Sequence, residues 1–156
     1  MKKLRVNKVI ITLFFFISIC SNSLANISSN FIEDITKKAS IILTSKDTRE
    51  TKIQELIKIG ESSVDIDGIG FYTLGKHRKI LSDEQKDEFK KIFRDYFLKS
   101  FSTRLVEYKE AKIVVISEDI KNEKYTIVKS KLIATSNRPE VTIDWRVYTK
   151  DPSKPL

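Results

Sequence analysis

A single cysteine, Cys20, occurs in 156 residues, and it falls inside an apolar leader. Nothing downstream of it can form a disulfide or a thiolate metal site. Four glycines and three prolines are too few for extended low-complexity linkers. The one histidine, His77, lies in the basic run Lys76-His77-Arg78-Lys79 with no cysteine to share a metal, and reads as a surface residue. No Ser-His-Asp order and no Gly-x-Ser-x-Gly appear, and Gly68-Ile69-Gly70 lacks the preceding strand and third glycine of a dinucleotide loop. Arginine-rich blocks and basic-aromatic RNA motifs are missing too, which argues against nucleic acid as a partner. No internal repeat is present.

The first residues carry a different signal. Lys2, Lys3, Arg5 and Lys8 precede the apolar run Val9–Cys20, which falls short of the roughly 20 residues a membrane span needs. Ser23 and Ala25 occupy the small-residue positions before a cut after Ala25. This is the layout of a secretory signal peptide over residues 1–25. Ile19, where a small residue would be needed, argues against lipidation at Cys20. Removing the leader's four basic residues leaves 25 basic against 21 acidic, so the net charge falls from +8 to +4. The remaining chain is sized for one domain over residues 26–149, followed by a tail over 150–156. A hydrophobic fraction of 40% is enough for a core, and a charged fraction of 32% points to a soluble body.

Periodicity then divides that body in two. Phe31, Ile35, Ala39 and Ile42 predict a helix over Asn30–Leu43, capped by Ser28, Ser29 or Asn30. Asp47 or Thr48 caps a second helix running through Ile59, with Gly60 at its end. Val64–Leu74 reads as a short helix or turn stopped by Gly75. Ser82 and Gln85 form a capping box, and Asp83 and Glu84 suit the positive end of a helix dipole, so a helix should run from Asp83 to about Leu105. On it Phe89, Phe93, Phe97 and Phe101 recur every four residues, with Ile92, Tyr96, Leu105 and Tyr108 beside them. So wide an apolar face must pack on a sheet, enclose something greasy, or both.

After Tyr108 the period changes from about four to two. Ala111–Ser117 is strand-like. Over Tyr125–Ala134, Thr126, Val128, Ser130 and Leu132 share one side, and over Val141–Thr149, Val141, Ile143, Trp145 and Val147 do. Short turns at Asn122-Glu123 and Asn137-Arg138-Pro139 predict antiparallel pairing. The fold class is therefore α+β: N-terminal helices, then an antiparallel β-meander packed on a long aromatic helix, a cone-shaped arrangement that leaves an apolar pocket. The last residues begin a hairpin turn with no strand after it, which leaves the Trp145 strand without a neighbour.

Val64-Asp65-Ile66-Asp67 with Thr73-Leu74-Gly75-Lys76, then Leu81-Ser82-Asp83-Glu84-Gln85, Phe89-x-x-x-Phe93 and Leu105-Val106-Glu107-Tyr108 resemble the MlaC (toluene-tolerance auxiliary) family of periplasmic phospholipid-binding proteins. The resemblance takes in the leader and the Val141–Val147 strand. It departs at His77 and Arg78, where the family has an aromatic-rich turn, and at Leu156, where the family continues with a further strand and helix. A chain shortened at its C-terminus is the expectation.

The resemblance implies a carrier with no catalytic residue, no metal and no cofactor. Such a protein moves phospholipid across the periplasm between an outer-membrane lipoprotein complex and an inner-membrane ABC transporter, and acts as a monomer. For such a carrier the candidate lipid-binding residues are Phe71, Leu74, Phe93, Phe97 and Phe101 from the helices, with Val114, Val128, Val141, Ile143 and Trp145 from the sheet. Two other readings stand beside it. One is a small cone-shaped α+β enzyme acting on an apolar substrate through Asp67 or Asp144, the Asp65/Asp67 pair being the other acid-base candidate. The other is a truncated, non-functional gene product.

Overall fold

In the computed structural model, residues 27–108, 111–149, 151 and 153–156 are described. The leader expected over residues 1–25, with Cys20, lies outside the described residues. Four helices come first: α1 (Ile27–Thr44), α2 (Arg49–Ser63), α3 (Ile66–Leu74) and α4 (Asp83–Leu105), with a 3-10 turn (Gly75–Lys79) between the last two. Strands β1 (Ile113–Asn122), β2 (Tyr125–Leu132) and β3 (Val141–Tyr148) follow as an antiparallel meander in the order β1-β2-β3.

Three of the helix starts are written in single side chains. Thr48 accepts from the Thr51 amide, Asp65 from the Gly68 amide at 2.9 Å, and Ser82 from the Gln85 amide at 3.2 Å. Gln85 reaches back to the Ser82 amide at 2.9 Å, completing the capping box. Lys86 bonds Asp83 and holds its carboxyl below the usual carboxylate range. The backbone amide of Glu84, then the Ser82 hydroxyl, do the same for Glu84. Ser82→Ala should lower the unfolding free energy by about 1 kcal/mol. A urea melt with an unshifted midpoint would show that α4 does not need the cap.

α1 starts differently from the expectation. It begins at Ile27, so Ser28, Ser29 and Asn30 lie inside it rather than capping it. Its first turn is tied instead to the sheet: Glu118 Oε2 accepts from the Ser29 amide at 3.1 Å and from the Ser29 hydroxyl at 2.6 Å. A register shift makes this contact possible. Val115 pairs with Ser130 but Ser117 pairs with Lys129, so Ile116 is an extra residue in β1. Such a bulge reverses which side chains face inward. Val115 faces inward before it and Glu118, paired with Val128, after it.

Gly60 does not end α2. The helix continues to Ser63, and a Cβ at Gly60 would sit 2.9 Å from Leu98 Cδ2. The glycine is there for close packing of α2 on α4. Gly75 is the true stop: it ends α3 at φ +54, where a side chain would be strained.

Two buried clusters organise the chain. Ile32 with Val128 and Val147, and with Phe31, Ile35, Val115 and Trp145 partly buried against them, joins α1 to the sheet. Leu43, Leu56 and Val106, with Ile42, Ile53, Leu105 and Ala111 around them, join α1, α2 and the end of α4 to the entry of β1. The helix laid across the sheet is therefore α1, whereas α4 has α2 and α3 as its close neighbours. The expected packing of the meander directly on the aromatic helix is corrected on this point. The reason lies in chain order, since the short α3 folds back on α4 and α1 already fills the sheet's inner face. At the other edge the tail turns at Asp151, whose carboxylate accepts from the Ser153 amide and hydroxyl. Leu156 and Tyr148 then exchange backbone hydrogen bonds at 2.8 and 3.3 Å, which places the last residue against β3.

Candidate functional site

Phe89, Phe93, Phe97 and Phe101 form one continuous ladder along α4. Ring centroids are 5.5, 6.0 and 5.7 Å apart, with interplanar angles of 24°, 28° and 7°. The four-residue spacing, on a helix of 3.6 residues per turn, stacks each ring over the next. All four rings are only half-buried. The buried positions of α4 are instead Leu98 and Ser102. The ladder thus flanks the helix's packed face and keeps apolar surface open.

α3 is clamped to the start of this ladder. A Cβ at Gly70 would lie 2.8 Å from Phe93 Cδ1 and 3.3 Å from Phe89 Cε1, so only glycine allows this approach. Arg94 pairs with Asp67 at 3.1 Å across the two helices. The Lys90 ammonium stands 5.2 Å from the centre of the Phe71 ring. Phe71 and Leu74 are half-buried on α3, beside the ladder's first turns.

The sheet supplies a second apolar group. Val128 is fully buried and pairs directly with Trp145. The indole N–H of Trp145 donates to the buried Ser130 hydroxyl at 2.7 Å, which fixes the ring on the inner face. Ile143, opposite Ser130, is half-buried, while Val141, opposite Leu132 at the strand's start, is 46% exposed. Val114 pairs with Lys131 and is 40% exposed, on the opposite face of the sheet from Val128. Val115 is the β1 residue that packs with the inner group. Ala111–Ser117 shows no alternation that would mark Val115 as inward-facing. The Val115–Ser130 pairing supplies that mark.

The structure therefore gathers Phe71, Leu74, Phe93, Phe97 and Phe101 on α3 and α4, and Val128, Ile143 and Trp145 on the sheet. It sets Val114 apart from both. Two open depressions, of about 370 and 250 Å³, run along α1, one against Ile59 of α2 and one against Ile113 of β1. None of the sequence-predicted residues lines either. The carboxylates considered for acid-base work have structural tasks or solvent: Asp65 caps α3, Asp67 holds Arg94, and Asp144 is exposed on the outer face of β3.

The model of the family described as MlaC protein matches residues 26–155. The chain belongs to the MlaC family. A solved structure of a phospholipid-binding protein from Ralstonia solanacearum, in complex with a phospholipid, shares the fold at a TM-score of 0.62 and 12% identity, over 79% of this chain and 71% of that one. No curated protein matches the chain. Within this MlaC-family chain, the half-open ladder is a continuous apolar stripe held along α4.

Proposed function

We propose that the chain is a phospholipid carrier of the periplasm. It is the soluble, monomeric component of an ABC-type lipid transport system, exported by a leader cleaved after Ala25. It takes lipid between an outer-membrane lipoprotein complex and an inner-membrane ABC transporter. The observation that carries this reading is the phenylalanine ladder, four stacked rings that the fold holds in line and leaves half-open. Family membership and the phospholipid-bound neighbour support it.

The physics asks for such a surface. Each acyl CH₂ exposed to water costs about 0.8 kcal/mol, so a chain of roughly 15 methylenes costs about 12 kcal/mol. A carrier offsets that cost with apolar walls and leaves the head group wet. The ladder, with Phe71 and Leu74 of α3 beside it, is the open apolar wall, while Trp145 and Ile143 stand on the sheet face against which α1 packs. No covalent step is required, and no residue is assigned a catalytic role.

Expression of the complete chain in a bacterial host tests the reading. Protein recovered from the periplasm should begin at Asn26 by intact mass. Organic extraction should release about one phospholipid per chain. Protein that is folded and exported but yields no phospholipid would overturn the carrier assignment.

A further inference from the structure

From Gly68 to Ser82 the chain contains no acidic residue, yet Lys76, Arg78 and Lys79 fall within it. All three are exposed on the 3-10 turn that joins α3 to α4. Elsewhere basic side chains find carboxylates one helical turn away, as Lys58 does with Glu55 and Lys86 with Asp83. No described residue forms an ion pair with the three cations of this turn. Two large apolar side chains bracket the same turn: Tyr72 is 80% exposed and Ile80 78%. Single exposed apolar residues are ordinary, but a pair flanking an uncompensated cationic turn is a pattern.

We infer that this turn is a docking tip for the surface of an anionic phospholipid bilayer. Tyrosine places its ring at the boundary between head groups and acyl chains with its hydroxyl in water. An exposed isoleucine gains by shallow insertion, and lysine and arginine are drawn to an anionic leaflet. Charge complementarity selects the bilayer over an acidic protein. Protein interfaces are depleted in lysine and match donors to placed acceptors. This tip carries two lysines among its three permanent cations, none of them paired with a described carboxylate, and suits a diffuse field. The inference goes beyond the carrier reading and stands on the turn alone. Its place fits that reading, because α4 and the ladder start directly after the tip.

The test uses the full chain and flotation with two vesicles, phosphatidylcholine alone and phosphatidylcholine with 30 mol% phosphatidylglycerol, the composition being about one anionic lipid in three. Wild-type protein should bind the anionic vesicles at least about tenfold more tightly, and lose that preference as salt rises. Each cation near an anionic leaflet is worth about a fivefold gain, so K76E/R78E/K79E should weaken binding by about 100-fold or more. Y72S/I80S should weaken it by about tenfold without removing the salt dependence. A control with the same charge change on exposed lysines elsewhere, K37E/K46E/K112E, should stay within about threefold of wild type.

Wild type that ignores both vesicles, a tip variant that binds like wild type, or a control that falls as far as the tip variant would each overturn the inference. Wild type that instead captures an acidic protein and no vesicle counts among these. Organic extraction of the tip variant separates the two proposals. Lipid retained by the tip variant with docking lost supports the tip, and wild type that docks but never holds lipid overturns only the carrier.

Discussion

Phe97→Asp should strip bound phospholipid from the protein. Phe97 is one of the ladder's two inner rungs, 6.0 Å from Phe93 and 5.7 Å from Phe101 by ring centroid. Burying a phenylalanine side chain against an acyl chain is worth about 2 kcal/mol, or about 30-fold in affinity. A carboxylate in its place adds the cost of drying a charge. Phospholipid recovered per chain should drop at least tenfold, read by organic extraction and mass spectrometry. Phe97→Leu keeps the apolar wall and should retain most of the lipid. Lys99→Asp, two positions along the same helix on an exposed side, controls for charge and should change nothing. The variant also loses two ring stacks, each about 1 kcal/mol, so its melting temperature must be measured alongside. Undiminished lipid in a folded Phe97→Asp protein would remove the ladder from the site.

Leu56→Ala carries the largest expected loss of stability. Leu56 is fully buried on α2, between Leu43 of α1 and Val106 beyond the end of α4. Removing it leaves a cavity in the cluster that ties three helices to the entry of β1. The cost of such a truncation is about 3 kcal/mol, which for a domain of this size is about 10 °C in melting temperature. Chemical denaturation should show a shifted midpoint with an unchanged slope. A loss under about 1 kcal/mol would mean that the helices are joined elsewhere. Ligand binding stabilises the folded state by mass action, so the comparison belongs on delipidated protein.

Some parts of this fold were open to reading from single residues, for physical reasons. Helix starts depend on local hydrogen bonds, so Thr48 and Ser82 announce them in sequence, and both caps form, while Asp65 caps α3 as well. The inward parity of β2 and β3 shows because side chains alternate with a period of two. Thr126, Val128 and Ser130 are indeed buried. Glycine was ambiguous. Gly75 stops a helix because its backbone needs a positive φ. Gly60 and Gly70 lie inside helices because Leu98 and Phe93 occupy the space a Cβ would need there. Nothing in the local sequence separates those two uses, since the second depends on a residue more than 20 positions away.

The bulge at Ile116 was equally hidden. It rests on which strand residues pair, and it decides that Glu118 meets the start of α1 while Val114 faces away from Val128. The same is true of the layer order. A stripe of phenylalanines says that a helix has an apolar face but does not name what meets it. Tertiary structure gave the sheet to α1 and gave α4 to α2 and α3.

The sequence by itself determined the α+β order, the capped aromatic helix and the family motifs around it, because each is set by contacts within a few residues. Only the tertiary structure decided that the ladder lies beside α4's packed face rather than on it. That outcome turns on two glycines and one ion pair, Gly60, Gly70 and Asp67–Arg94, which fix the helix's rotation through close approaches that no local pattern encodes.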